Sequence, residues 1–355
     1  MTPLTPHNPQ QPVAQKTMKA VVTLGVGDFG QLSYQDVPLP QPLTGEVLLQ
    51  VLASSVNSTD INTRLGWYAP DVTASTQVLA AQTGKTGTTP DTGGWSGTTR
   101  FPLIQGTDCC GRVVQLGPGC NPALLGQRVL VRPCMRPHGF ALPDNLWLGS
   151  DMDGAFAQFV KVPATEVFPV LSPMSDAALG CLPCAYGTAE NMLIQARVQP
   201  NMHVVVTGAS GGVGLATVQL AKRRGAVVTA ITSPEKVAAL RTLGADQVLD
   251  RNDSTVASLG PQCADVVVDN VAGVGFCDKL KLLKRGGRLV TSGAIAGPLV
   301  QFDLRTLYLN NLSILGCTAW DEAVFSGLVG YIEREEIQPI VAQTYPLAHI
   351  VQAQR

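Results

Sequence analysis

The sequence predicts an α/β protein in which a doubly wound parallel sheet follows a β-rich domain. Three observations predict this. From about residue 200 strand-like and helix-like segments alternate, which is the rhythm of βαβ units. Before about residue 165 short apolar runs are set between turn residues, as in antiparallel sheets. Glycine (36 residues) and proline (25) are abundant in the 355, implying many tight turns. A length of 355 residues is about 2.4 domains' worth of chain. Its 45% hydrophobic and 14% charged content is the reverse of a disordered composition.

In chain order, residues 1–17 are rich in Pro, Gln and Thr and read as a disordered tail, with order beginning at Met18. The runs Lys19–Thr23, Gly45–Leu52, Gly111–Leu116, Gln127–Val131 and Phe156–Val162 read as strands of a barrel-like domain. Residues 69–100, which contain GKTGTTPDTGGWSGTT, are too polar for a core and too long for an ordinary connection; they read as a lid or a disordered insertion. MHVVVTG is a buried-strand run, after which Val213, Ala216 and Leu220 put one apolar face on a helix that Gly225 stops. AVVTAIT is the second strand and PEKVAALRTLG the second helix, and DQVLD, ADVVVDN and GRLVTSG supply further strands.

Charge and cysteine usage exclude several classes. With 25 Lys+Arg against 26 Asp+Glu the chain lacks the basic field that draws proteins to nucleic acid or anionic membranes. No window holds 18 uninterrupted apolar residues, and the start lacks the order of a secretory signal, so a soluble, cytoplasmic protein is expected. Nine cysteines, an odd number spread along the chain, read as reduced thiols.

The strongest motif is the turn from Gly208 to Gly214, with Ala209, Ser210, Gly211, Gly212 and Val213 between a strand and a helix. Glycines there let the backbone turn tightly and approach a pyrophosphate, which the helix N-terminus attracts. Ala209 departs from the usual fingerprint by replacing its first Gly. The second strand ends at Thr232 with no acid at its tip, and Ser233 with Lys236 suits a 2′-phosphate, so NADP(H) is the expected cofactor. Ser233 and Pro234 also fit a plain helix start with Lys236 solvated, and the two readings are compatible.

The segments MKAVV, SSVNSTDINTRLGWY, FPLIQGTDCCGRVV, GQRVL, GAFAQFVKVPA, CAYGTAENML, VVVTGASGGVGLATVQLAKRRGA, LGADQVLD and GGRLVTSGA resemble the medium-chain dehydrogenase/reductase superfamily. Within it, the likeness is to the zinc-independent quinone oxidoreductases and enoyl reductases. The resemblance implies a GroES-like catalytic domain of residues 18–165 plus 318–355 around a Rossmann domain of 166–317. It also implies that Asn270, Ser292 and Gly293 face the cofactor, and that the protein acts as a homodimer through a sheet edge. Similar proteins continue for about a further helix and strand, so the chain reads as truncated at Arg355.

In the zinc-dependent relatives three ligands lie at positions matching Asn57, Thr107 and Cys184, and only Cys184 keeps a ligand type; no metal is expected. Cys184 reads as a small buried thiol. His7, His203 and His349 read as structural or solvated, and His138 as a weak candidate beside Cys134. The resemblance places Asn57 and Thr188 beside the nicotinamide, with Tyr68 and Arg64 as further catalytic candidates. Some members carry a Tyr where this chain has Ser58, which leaves Tyr68, Ser58 or water as the proton donor. Asp60 and Arg64 also fit a helix cap and an i,i+4 pair. The expected reaction is hydride transfer from NADPH to a small quinone or α,β-unsaturated carbonyl. The alternatives are an alcohol dehydrogenase or carbonyl reductase, and a non-catalytic NADPH-binding protein.

Overall fold

A computed structural model describes residues 16–82, 93–94 and 97–355. Strands β1 (Thr17–Thr23) and β2 (Leu32–Pro38) pair antiparallel, with a short strand at Leu103–Ile104 on the other side of β1. A second antiparallel sheet contains β3 (Glu46–Ala53), β4 (Cys110–Leu116), β5 (Arg128–Val131), β6 (Phe159–Pro163) and β7 (Val167–Pro169) in the order β6-β3-β4-β5-β7. Val47, Leu48 and Leu49 of β3 are all fully buried. Alternation is still present: Val47 and Leu49 enter a core with Val113, Val129 and Val160, while Leu48 enters another with Met18, Ala20 and Phe156. Both faces of the strand are covered, so its polar positions are few.

The second half forms a six-stranded parallel sheet of β8 (His203–Val206), β9 (Val227–Thr232), β10 (Gln247–Asp250), β11 (Ala264–Val268), β12 (Leu283–Thr291) and β13 (Ser313–Gly316), in the order β10-β9-β8-β11-β12-β13. Val204, Val205 and Val206 are fully buried, as expected for a central strand covered on both faces. Strand order reverses between β8 and β11, which opens a crevice at their carboxyl ends.

Helix α1 (Ser58–Leu65) follows β3, and α2 (Thr76–Gln82) follows α1; α3 (Pro183–Gln195) enters the parallel-sheet half, and α4 (Gly212–Arg223) follows β8. Residues 318–355, expected to complete the β-rich domain, divide their packing. Trp320 and helix α5 (Glu322–Glu333) share a core with α3 and β8, whereas Ile350 packs with Met18 and Ala20. Among the described residues no helix is long and apolar enough to cross a membrane.

Two expectations change. Thr17 already belongs to β1, and residues 1–15 of the expected tail lie outside the described residues. The segment 69–100 is built into the fold in its first part. Ala69 is buried, Trp67 Nε1 donates to the Ala74 carbonyl at 3.0 Å, and Thr76 donates from its backbone to the Ile295 carbonyl of the parallel-sheet half at 3.2 Å. Residues 83–92 and 95–96 lie outside the described residues.

Candidate active site

A cavity of about 990 Å³ runs along the crevice between the two halves. At one end the turn after β8 forms its wall through Gly208, Ser210, Gly211, Gly212 and Val213. Gly208 has φ +57°, a left-handed conformation that glycine adopts without strain. A Cβ on Gly214 would lie 2.3 Å from the Gly208 carbonyl oxygen, so the helix can press against the turn only with glycine there. Ala209 departs from the expectation: it is fully buried, donates its N–H to the Ile231 carbonyl at 3.1 Å and does not line the cavity. Asn270, Ser292 and Gly293 form the facing wall, where the Asn270 side-chain oxygen accepts from the backbone N–H (2.9 Å) and hydroxyl (3.0 Å) of Ser292. Below them Asp269 accepts from Thr207 Oγ1 at 2.5 Å and from Lys279 Nζ at 2.9 Å, which holds the loop after β11. Backbone N–H groups at a helix N-terminus, facing a polar wall, suit a dinucleotide pyrophosphate.

Farther along this end Ser233 lines the cavity, but Lys236 is exposed and does not. The 3₁₀ turn Pro234–Lys236 separates Lys236 from the tip of β9, whereas Arg251, just after β10, lines the wall; Lys279 also lines the cavity but is paired with Asp269. Glu235, which the sequence reading passed over, is held below the usual carboxylate range by a hydrogen bond from Ser233 and by the charges of Arg251 and Lys236.

The other end is lined by Asn57, Ser58, Thr59, Asn62, Tyr68, Trp147, Cys184, Thr188, Cys317 and Trp320. Asn57 caps α1, donating its backbone N–H to Asp60 Oδ2 at 2.8 Å and its amide nitrogen to Asp108 Oδ2 at 2.8 Å. Asp108 is fully buried and also accepts from Ser55 Oγ (2.5 Å) and the Cys184 backbone N–H (2.7 Å). Asp60, also buried, accepts from the backbone N–H groups of Gly106 and Thr107 at 3.2 Å. Burial pushes the Asp60 carboxyl up to about 7 and the Asp108 carboxyl to about 6, against the pull of these donors. Tyr68 Oη lies 3.2 Å from Thr59 Oγ1, and burial raises its phenol to about 12. Thr188, one turn along α3 from Cys184, bonds that thiol, which burial lifts well above its usual range.

Arg64 is corrected. Its Nε donates to Gln354 Oε1 at 3.0 Å and its Nη1 to the Gly27 carbonyl at 2.7 Å, with the guanidinium over the Phe29 ring at 4.6 Å. It lies outside the cavity lining and is not paired with Asp60; its reach ties α1 to the chain's end. His203 is structural, its ring nitrogens 3.0 Å from the Cys263 carbonyl and 2.8 Å from Thr229 Oγ1, and His138 is exposed.

A catalytic zinc does not fit these residues. The Asn57 amide nitrogen is committed to Asp108, Thr107 offers only a hydroxyl near Asp60, and the Cys184 thiol sits among buried acids that oppose its ionisation. Among the described residues no group of three or more His, Cys, Asp or Glu could hold a metal ion.

Sequence reasoning missed Asp108, Asn62, Thr59, Arg251, Trp147 and Trp320. Asp108 carried a signal, being the one acid in the segment FPLIQGTDCCGRVV. The two tryptophans meet edge to face at 5.7 Å although 173 positions separate them, a contact no local pattern announces.

Residues 44–172 match the alcohol dehydrogenase GroES-like domain and residues 212–334 the zinc-binding dehydrogenase family. A solved Sinorhizobium meliloti chain, provisionally assigned as an alcohol dehydrogenase, is 39% identical with a TM-score of 0.85, the match covering 96% of this chain and 93% of that one. A 2-octenoyl-CoA carboxylase reductase solved with NADP and 2-octenoyl-CoA is 26% identical with a TM-score of 0.79, over 96% of this chain and 85% of that one. The acryloyl-coenzyme A reductase of Metallosphaera sedula is 27% identical over 94% of each chain. The quinone oxidoreductase of Rattus norvegicus is also 27% identical, over 96% of this chain and 93% of its own. The two matched domains, the parallel sheet with its glycine turn and the full-length likeness together show that the chain belongs to the medium-chain dehydrogenase/reductase superfamily of oxidoreductases.

Proposed function

We propose that the protein is an NADPH-dependent, zinc-independent reductase of conjugated carbonyl compounds, either α,β-unsaturated carbonyls or quinones. The observation that carries this reading is one cavity joining a dinucleotide cradle to a reactive end that, among the described residues, lacks a zinc donor set. Reduction of a simple carbonyl concentrates charge on one oxygen and calls for a strong electrophile there, whereas conjugation spreads that charge. The likeness to acryloyl-CoA and quinone reductases supports the same class.

The turn 208–214 with Asn270, Ser292 and Gly293 would hold NADPH, and bound NADPH supplies the hydride. Ser233 and Arg251 would meet the 2′-phosphate, with Glu235 opposing it. Asn57 and Thr188 orient groups at the reactive end. Tyr68, whose raised phenol keeps its proton at neutral pH, is the proton donor, with Thr59 within reach of its hydroxyl. Trp147 and Trp320 give that end aromatic walls.

The test is NADPH oxidation with quinones, enones and enoyl-CoA thioesters, followed by nicotinamide absorbance. Turnover with simple aldehydes alone would overturn the substrate class. Tyr68→Phe should lower kcat about 100-fold with NADPH affinity unchanged; full activity in that variant would return the proton-donor role to Ser58 or water.

A further inference from the structure

We infer that Asp108, which lies outside the cavity, is the positioning residue of the reactive end: its carboxylate dictates which face of the Asn57 amide meets the ligands. The inference deepens the reading above and rests on it for the reaction, though not for cofactor binding.

The carboxylate is held by three donors from two separate segments, the loop between β3 and α1 and the start of α3. Oδ2 takes the Ser55 hydroxyl at 2.5 Å, from the exit of β3, and the Asn57 amide nitrogen at 2.8 Å, from the cap of α1. Oδ1 takes the Cys184 backbone N–H at 2.7 Å, in the first turn of α3. Asp108 has no accessible surface, and among the described residues it makes no ion pair, in contrast to the buried Glu166 on Arg132 and Asp269 on Lys279. It is balanced instead by these donors and by the N-terminal end of α3.

An ionised carboxylate only accepts. Asn57 must therefore turn its NH₂ inward, and its amide oxygen, which meets the Asp60 backbone N–H in the capping box of α1, keeps a second lone pair for a ligand in the cavity that Asn57 lines. The same carboxylate anchors Cys184 and, one turn later, Thr188. One buried charge thus sets Asn57 directly and Thr188 through the first turn of α3, and it assigns Asn57 the role of an acceptor for a ligand hydroxyl or amide. Replacing Asp108 by Asn puts an NH₂ opposite the NH₂ of Asn57. If the new amide oxygen stays on the Cys184 N–H, Asn57 has to flip and present a donor to the cleft.

The test is a double-mutant cycle of Asp108→Asn and Asn57→Ala, read first by binding of NADPH and of adenosine 2′,5′-bisphosphate, which lacks the nicotinamide. Asp108→Asn should weaken NADPH about 10-fold and leave the bisphosphate within about two-fold, the loss of one charge-assisted hydrogen bond. In the Asn57→Ala background the same change should cost less than about two-fold, because its target is gone. The pair Asn57→Asp with Asp108→Asn should recover part of the loss, since an aspartate at 57 can accept from the new amide and still offer an oxygen to the cleft. Equal weakening of both ligands, or an undiminished Asp108→Asn effect without Asn57, would overturn the inference.

If Asp108→Asn does not fold, Ser55→Ala removes one of its donors. It should weaken NADPH about three-fold without touching the bisphosphate, an effect of the size of one weak hydrogen bond; no change in NADPH binding overturns the inference. The binding arms need no turnover. A cycle that behaves as stated in a protein that reduces no conjugated carbonyl leaves Asp108 in place and sinks the reaction class. Turnover without coupling between Asp108 and Asn57 does the reverse.

Discussion

At the phosphate end of the cleft one wall comes from a single stretch, residues 207–214, and its geometry resides in the backbone: a left-handed Gly208, a helix N-terminus and a Gly214 pressed on the turn. The reactive end is assembled from Asn57, Tyr68, Trp147, Cys184 and Trp320, and it depends on two buried carboxylates that never reach the cavity. A backbone cradle tolerates side-chain change but not added bulk. A cradle made of buried charge tolerates bulk at its rim but not the loss of an acceptor.

Four predictions bear on this contrast. The largest effect is expected at the reactive end. Asp60→Ala strips the acceptor from the backbone N–H groups of Asn57, Gly106 and Thr107, and should lower stability by about 3–5 kcal/mol in urea unfolding. A loss below about 1 kcal/mol would mean that these groups find other partners. Asp60→Asn adds a pH signature. The native Asp60 is raised to about 7 from an ordinary 3.8, so the folded state holds the proton more tightly than the unfolded one. Its contribution to stability is therefore complete below the unfolded value and is lost as pH rises to the folded one. Wild type should lose stability relative to Asp60→Asn between about pH 4 and pH 7, by on the order of 1 kcal/mol for each pH unit crossed. A flat difference would show that Asp60 does not titrate in that window.

At the phosphate end Gly214→Ala should cost about 1–3 kcal/mol, because the added methyl meets the Gly208 carbonyl with no flexible side chain to yield. NADPH affinity should fall in parallel, measured by fluorescence titration; intact binding would show that the helix can retreat without disturbing the turn. The smallest effects belong to the outer rim. Arg251→Ala should weaken NADPH about 10-fold and spare NADH, whereas Lys236→Ala should change either cofactor less than about two-fold. The opposite ranking would restore Lys236 as the phosphate contact.

The contrast also explains which site residues were legible. Ser210, Gly211, Gly212 and Val213 announce themselves because a phosphate turn needs glycines at fixed spacing between a strand and a helix, and all four line the cavity. Ala209 shares the motif but not the surface: turn spacing locates a backbone path, not which side of it faces solvent. Asn57, Tyr68 and Thr188 were reached through the resemblance and line the cavity together. Arg64 was reached the same way, yet its side chain is long enough to leave the site and bind Gly27 and Gln354. Residues 69–100 looked too polar to pack. Thr76 nevertheless buries itself by donating its hydroxyl to Asn62 Oδ1 at 3.0 Å, which composition cannot register.

By itself the sequence determined the two-part α/β organisation, most strands of both sheets and the glycine turn. All of these follow from local periodicity and turn chemistry. Only the tertiary structure decided that Asp108 and Asp60 stand behind the reactive end, that Arg251 rather than Lys236 lines the cofactor rim, and that Trp320 meets Trp147. Burial and hydrogen bonding between distant segments make these choices, and the desolvation that raises the Asp60 and Asp108 carboxyls exists only once the chain has closed around them.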